Sequence, residues 1–80
     1  MGRVIKIRVP NLRKMVTLEV ESHHDVNSIV EVLCKELDLD ENKRWSIESD
    51  GRRIANSKTM SELGLHYDDV LELVDKTTDV

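Results

Sequence analysis

The apolar residues of this chain follow two different periods. From Arg3 to Val9, RVIKIRV, Ile5, Ile7 and Val9 alternate with Lys6 and Arg8, as in a strand with one buried face. Val4 is the exception and shares the charged face. Pro10-Asn11 interrupts the run, since proline cannot donate to a ladder and asparagine favours turns. Met15 to Val20 resumes the alternation, with Val16, Leu18 and Val20 inward and Thr17 and Glu19 outward. The two runs predict an antiparallel hairpin. From Asp25 to Leu37 the period changes. Val26, Ile29, Val30, Leu33 and Leu37 stand at i, i+3, i+4, i+7 and i+11, an apolar arc about 100° wide on a helix. Asp25 is placed to cap this helix, and Glu31 and Lys35 form an i,i+4 pair on its opposite side.

The polar run Asp38 to Arg44 has Leu39 as its one apolar residue, expected to tuck under the helix end. Lys43 to Ser49 reads as a third strand with Trp45 and Ile47 in phase. Asp50-Gly51 is a short-hairpin turn signal, and Arg52-Arg53-Ile54 a short returning strand. Met60, Leu63 and Leu65 sit in a segment whose Gly64 marks the end of a short helical turn. Asp69 to Val74 is the last strand, with Leu71 and Leu73 inward and Glu72 outward. Two strands, a helix, two strands, a helical turn and a strand make an α+β domain: a mixed sheet of four to five strands crossed by one helix. The first and last strands are the longest and most apolar, and are expected as parallel neighbours in the middle. Residues 1–74 form the domain, and Asp75 to Val80 is expected as a flexible tail.

Eighty residues allow one core. The 35% of charged residues argues for a well-hydrated surface, and the longest apolar run, Val32-Leu33-Cys34, is far too short for a membrane span or a signal-peptide core. Cys34 is the sole cysteine, so no internal disulfide forms and reducing, cytoplasmic surroundings are expected. The net charge of −4 is unevenly distributed. Arg3, Lys6, Arg8, Arg13 and Lys14 face only Glu19 in the first twenty residues, whereas the helix and its flanks are acidic.

This order of elements resembles ubiquitin and the wider β-grasp group over residues 3–74. The most specific stretch is Asp50-Gly51 followed by TMSELGLHYDDVLELV, which is similar to the segment where a short helical turn leads into the final central strand. The resemblance implies that Leu63 and Leu65 fill a corner of the core and that Val26, Ile29, Val30 and Leu33 face the sheet. Conjugated and sulfur-carrying members of the group end in Gly-Gly, whose carboxylate is activated. Here the last residues are Asp-Lys-Thr-Thr-Asp-Val and no Gly-Gly occurs, so neither covalent role is expected. Ubiquitin exposes an apolar patch to its receptors. The corresponding outward positions hold Ser46, Glu72 and Val74, with Leu12 nearby in the first turn. In length and layout the chain is also similar to the YukD-like group associated with type VII secretion. The same fold serves as a docking module in larger proteins, FERM-type assemblies among them.

Candidate chemistry is sparse. His23-His24 lacks the helical i,i+4 spacing of zinc ligands, because adjacent side chains diverge. Cys34 lies mid-helix beside the apolar arc, where packing is its expected role. Asp68-Asp69 and Asp38 to Glu41 read as solvated turns without the glycine of a calcium loop. With no nucleophile–base pair, phosphate loop or metal set, neither an enzyme nor a cofactor is expected. Nucleic acid is not expected either: readers of it interleave aromatics with basic residues, and Trp45 is in phase with the core. The expected function is non-covalent binding of another protein, without membrane insertion, by a monomer or weak oligomer. The expected contact residues are Lys6, Arg8, Leu12, Arg13, Ser46, Glu72 and Val74. A component of a secretion or multi-protein machine, and a modifier with an incomplete tail, are the alternatives.

Overall fold

The computed structural model describes residues 2–66 and 68–77. Strands β1 (Arg3–Val9) and β2 (Lys14–Val20) form the antiparallel hairpin, with a 3₁₀ turn over Pro10–Leu12 between them. Helix α1 (Val26–Glu36) follows, then β3 (Trp45–Ser49), β4 (Arg52–Arg53), the single-turn helix α2 (Met60–Leu63) and β5 (Val70–Asp75). The strands form one sheet in the order β2-β1-β5-β3-β4. β1 and β5 are parallel and central, with Ile7 opposite Leu71, while β3 runs antiparallel to β5. Both helices cover the same face. Ile5, Ile7 and Val9 from β1, Leu71 and Leu73 from β5, and Ile47 from β3 are buried against Val26, Ile29 and Leu33 of α1 and Met60 of α2. Val30, Leu37, Leu39, Trp45, Leu63 and Leu65 pack around this core half-buried.

The helices are tied to each other at their starts. The first N–H groups of any helix lack intrahelical acceptors. In α1, Val26 N–H donates to the Lys58 carbonyl at 2.8 Å and Asn27 N–H to that of Asn56 at 3.0 Å. In α2, Met60 N–H donates to the His24 carbonyl at 2.8 Å and Ser61 N–H to that of Ser22 at 3.0 Å. The third N–H of each helix goes to its own cap: Ser28 to the Asp25 carboxylate at 2.8 Å, and Glu62 to the Thr59 hydroxyl at 3.2 Å. The Glu62 carboxylate in turn accepts from Thr59 N–H at 3.0 Å, completing a capping box. Asp25 and Thr59 themselves form an isolated β-bridge. Each helix is therefore capped by the segment that leads into the other.

Both turn signals act through backbone conformation. Asp50 and Gly51 have φ of 52° and 77°, the positive pair that a tight twisted hairpin needs. At the end of α1, Asp38 has φ 53°, Leu39 N–H reaches the Cys34 carbonyl at 2.9 Å, and Asp38 N–H that of Lys35 at 3.4 Å. This is a Schellman stop in which Asp38 occupies the left-handed position where glycine is usual, and it turns Leu39 back onto the core. Two expectations need correction. Glu31 is not ion-paired with Lys35; its carboxylate instead accepts from the Asn27 side chain at 3.2 Å. The last strand extends through Asp75, and the next two residues, Lys76 and Thr77, are bonded to Arg44. Lys76 N–H donates to the Arg44 carbonyl at 2.7 Å, and Arg44 N–H to the Thr77 hydroxyl at 2.8 Å. Residues 78–80 of the expected tail lie outside the described residues.

Two predictions follow from the caps. The Asp25 carboxyl is held below the usual range by the Ser28 N–H it accepts, and Glu62 by its bonds from Thr59. A depressed folded pKa confers stability that is complete above the unfolded value and lost as pH falls through the folded one. The thermal midpoint should accordingly fall on acidification below about pH 4.5, in the carboxylate range. Asp25→Asn with Glu62→Gln, which keep the acceptors but remove the charge, should flatten this dependence. An unaltered slope would detach the caps from acid stability. Separately, Asp38→Gly should raise unfolding free energy by about 0.5–1 kcal/mol in urea titrations, because glycine adopts the left-handed conformation without a Cβ clash.

Candidate functional site on the outer face of the sheet

Neither helix covers the opposite face of the sheet. The strand register sets its side chains in rows: Thr17, Lys6 and Val70 in one; Met15, Arg8, Glu72, Glu48 and Arg53 in the next; Ser46 and Val74 in a third. Glu72 and Glu48 stand directly opposite each other, an unfavourable like-charge pair by itself. Arg8 and Arg53 flank the pair in register, and the Lys76 ammonium lies 2.8 Å from Glu48. Arg8 faces Glu72 in register but forms no ion pair with it among the described residues; nor does Lys6.

The seven expected contact residues divide unequally. Lys6 and Arg8 are exposed on β1, and Glu72 and Val74 are half-buried on β5. Leu12 is exposed in the 3₁₀ turn, with Arg13 beside it in a left-handed conformation at φ 53°. Ser46 is a correction. Strand parity does place it on the outer face, but it is only 5% exposed. It stands opposite Val74, and the Lys76–Glu48 ion pair spans diagonally from the residue facing Arg44 to the position two beyond Ser46. A short side chain below longer neighbours has no surface to offer.

Sequence reasoning undervalued two residues. Val4 is 55% exposed and Met15 51%, both on the outer face and on the same β1–β2 half as Lys6 and Arg8. The signal was available. Met15 lies one position before the inward residue Val16, so parity alone assigns it outward. Val4 and Met15 thus share the face of Lys6 and Arg8, and Leu12 is exposed in the turn that joins β1 to β2.

The remaining chemical candidates are occupied structurally. His24 accepts the Glu21 N–H on its Nδ1 at 3.0 Å, and its ring lies 4.6 Å from that of His23. Cys34 is half-buried, and burial followed by the nearby Glu41 pushes its thiol pKa up, away from the reactive thiolate. The described residues hold no group of three or more His, Cys, Asp or Glu arranged to bind a metal ion. None of their helices is long and apolar enough to cross a membrane.

Comparison with known proteins places this geometry. No curated protein matches the chain in sequence. A chain of a solved pParkin–pUb–UbcH7 complex superposes with a TM-score of 0.80 at 19% identity, covering 92% of this chain and 23% of that one. Another, from a structure described as molecular mimicry of SUMO that promotes DNA repair, gives 0.78 at 15% identity, covering 91% of this chain and 90% of that one. At these identities the likeness is one of fold, and it confirms the β-grasp architecture. Sequence reaches further, because residues 4–74 match the family model described as ubiquitin-2 like Rad60 SUMO-like. The chain belongs to that SUMO-like family of ubiquitin-like domains.

Proposed function

We propose that this domain binds another protein non-covalently through the β1–β2 side of its outer sheet face and performs no catalysis itself. The supporting observation is the uncovered cluster of Lys6, Arg8 and Arg13 with the exposed Val4, Leu12 and Met15. Glu72 and Val74 border it on β5. Exposed apolar side chains beside cations that have no ion-pair partner among the described residues suit a partner surface that is acidic and carries an aliphatic or aromatic knob. Ser46 is left out of this surface because it is buried. The two similar structures fit such a role: one is a complex of several proteins, the other is described as mimicry of SUMO. A cytoplasmic setting is consistent with the single free Cys34.

The SUMO-like family match also keeps a covalent modifier in view. Intact-mass analysis of the endogenous protein separates the two readings, since a modifier would appear as protein-sized adducts and a binding module as the free chain. No observation favours the secretion-machine reading over these.

The direct test is quantitative affinity capture from the native cell with the wild-type domain and with Lys6→Glu/Arg8→Glu. Both residues are exposed, so the thermal midpoint should be retained. Rim charges govern encounter and partner choice, and partner recovery should drop by about tenfold or more. Equal recovery by the two proteins would remove this face from consideration.

A further inference from the structure

A second surface is the β2 edge of the sheet, and the ladder bonds fix which of its backbone groups are free. In an antiparallel ladder, alternate residues direct both their N–H and C=O to one neighbour and the intervening residues to the other side. The Arg44 carbonyl accepts from Lys76 N–H, which sets Ser46 and Glu48 toward β5. Their partners Val74 and Glu72 address β3 in return, so Leu71 and Leu73 address β1. Leu71 stands opposite Ile7, and in a parallel pair it bonds to the flanking residues Lys6 and Arg8. Ile5, Ile7 and Val9 are left for β2, where they meet Leu18, Val16 and Lys14. The N–H and C=O of Met15, Thr17 and Glu19 then point away from the sheet, where no strand pairs with them among the described residues.

Edge strands usually carry a guard against pairing: a proline, a bulge or a charge that points inward. β2 contains no proline, and its unbroken register with β1 leaves no bulge. Its charges are Lys14 at the first position and Glu19 on the outer face. Met15, Thr17 and Glu19 are exposed, and Val16 and Leu18 are half-buried on the helix side. Arg8, beside Met15 on the outer face, has no ion-pair partner among the described residues, and neither has Glu19.

We propose that two copies of this chain pair antiparallel along β2 about a twofold axis at Thr17, joining their five-stranded sheets into one. The strand runs from Lys14 to Val20, so centring on Thr17 overlaps it completely, and Met15, Thr17 and Glu19 all exchange main-chain bonds. On the helix side, Val16 meets Leu18 of the second copy at the closely spaced, non-bonded positions. On the outer face, Met15 meets Glu19 of the second copy, and Arg8 lies beyond Met15 in the same row. Two strand spacings, about 10 Å, separate Arg8 from that Glu19, within reach of their two long side chains across Met15. No like charges stand opposite each other. Lys14 meets Val20, and Arg3, next along that row, is held on the Leu65 carbonyl. The two Lys6 side chains are three spacings apart, about 14 Å, beyond the ~8 Å screening length of physiological salt. Centring on Val16 or Leu18 instead shortens the overlap and parts Arg8 from Glu19. The other sheet edge ends in the two-residue β4, too short to pair with β2 along its length, so the contact closes as a dimer and does not continue as a filament.

Sedimentation equilibrium of the full chain up to about 1 mM should show its mass rise from 9.2 kDa toward twice that value. In ¹⁵N spectra, the concentration-dependent shifts should centre on Met15, Thr17 and Glu19. Thr17→Lys sets two ammonium groups opposite each other, and Thr17→Glu two carboxylates. Thr17 is exposed, so both variants should keep the thermal midpoint. Each alone should weaken dimerisation about fivefold or more, and an equimolar mixture of the two should recover it. With Cys34→Ser as background, Thr17→Cys should crosslink two copies on mild oxidation, because bonded partners stand ~5.5 Å apart at Cα, within disulfide range. Glu19→Cys, whose counterpart faces Met15, should not. Four results would overturn the proposal: a mass that stays at 9.2 kDa at about 1 mM; shifts centred on another face; a Glu19→Cys crosslink as fast as that of Thr17→Cys; or a mixture no more dimeric than its components. Thr17 is not one of the residues assigned to partner capture, so the two surfaces are tested separately.

Discussion

The structure depends on the mutual capping of its two helices. A helix start leaves N–H groups without partners, and burying them unsatisfied would cost far more than a short helix returns. In this chain the four outermost donors, Val26, Asn27, Met60 and Ser61, each find a carbonyl in the segment that precedes the other helix. A four-residue helix such as α2 has little stability of its own. Here it is held by a capping box, by two bonds to the segment before α1, and by Met60 inserted into the core. The same bonds hold α1 in position along the sheet.

This arrangement determines which surfaces stay open. With both helices on one side, the core is closed by Ile7, Leu71 and Leu73 from the central strands against Val26, Ile29 and Leu33. The other side of the sheet is left to solvent, and its composition is set by what alternates with the core residues. Lys6 and Arg8 alternate with Ile5, Ile7 and Val9, and Glu72 with Leu71 and Leu73. The basic surface is thus a consequence of the strand period, while the exposed Val4, Leu12 and Met15 of the same hairpin are not required by the core. The brevity of β4 has a comparable effect at the sheet edge, since two residues cannot cover the length of β3.

Most of the fold was legible in the sequence because each signal had a local cause. Alternation identified β1, β2 and β5, and the i, i+3, i+4 spacing identified α1. Asp25, Asp50-Gly51 and Gly64 marked a cap, a turn and a helix end by backbone chemistry that needs no tertiary context. What escaped was set by neighbours distant in sequence. Ser46 has outward parity but lies beside a Lys76–Glu48 pair joining residues 28 apart, and Arg44 is tied to Thr77, 33 residues away. Glu31 chose Asn27 over Lys35, two alternatives that helix spacing does not rank. The reciprocal caps were also invisible, because backbone carbonyls at Ser22, His24, Asn56 and Lys58 carry no side-chain signature.

Native-state amide hydrogen exchange tests the mutual capping directly, residue by residue. If the helix starts hold each other, the amides of Val26, Asn27, Met60 and Ser61 should open together, with a common free energy close to that of the central strand amides. Exchange of Met60 and Ser61 at the rate of a frayed loop, with Val26 and Asn27 still protected, would contradict it.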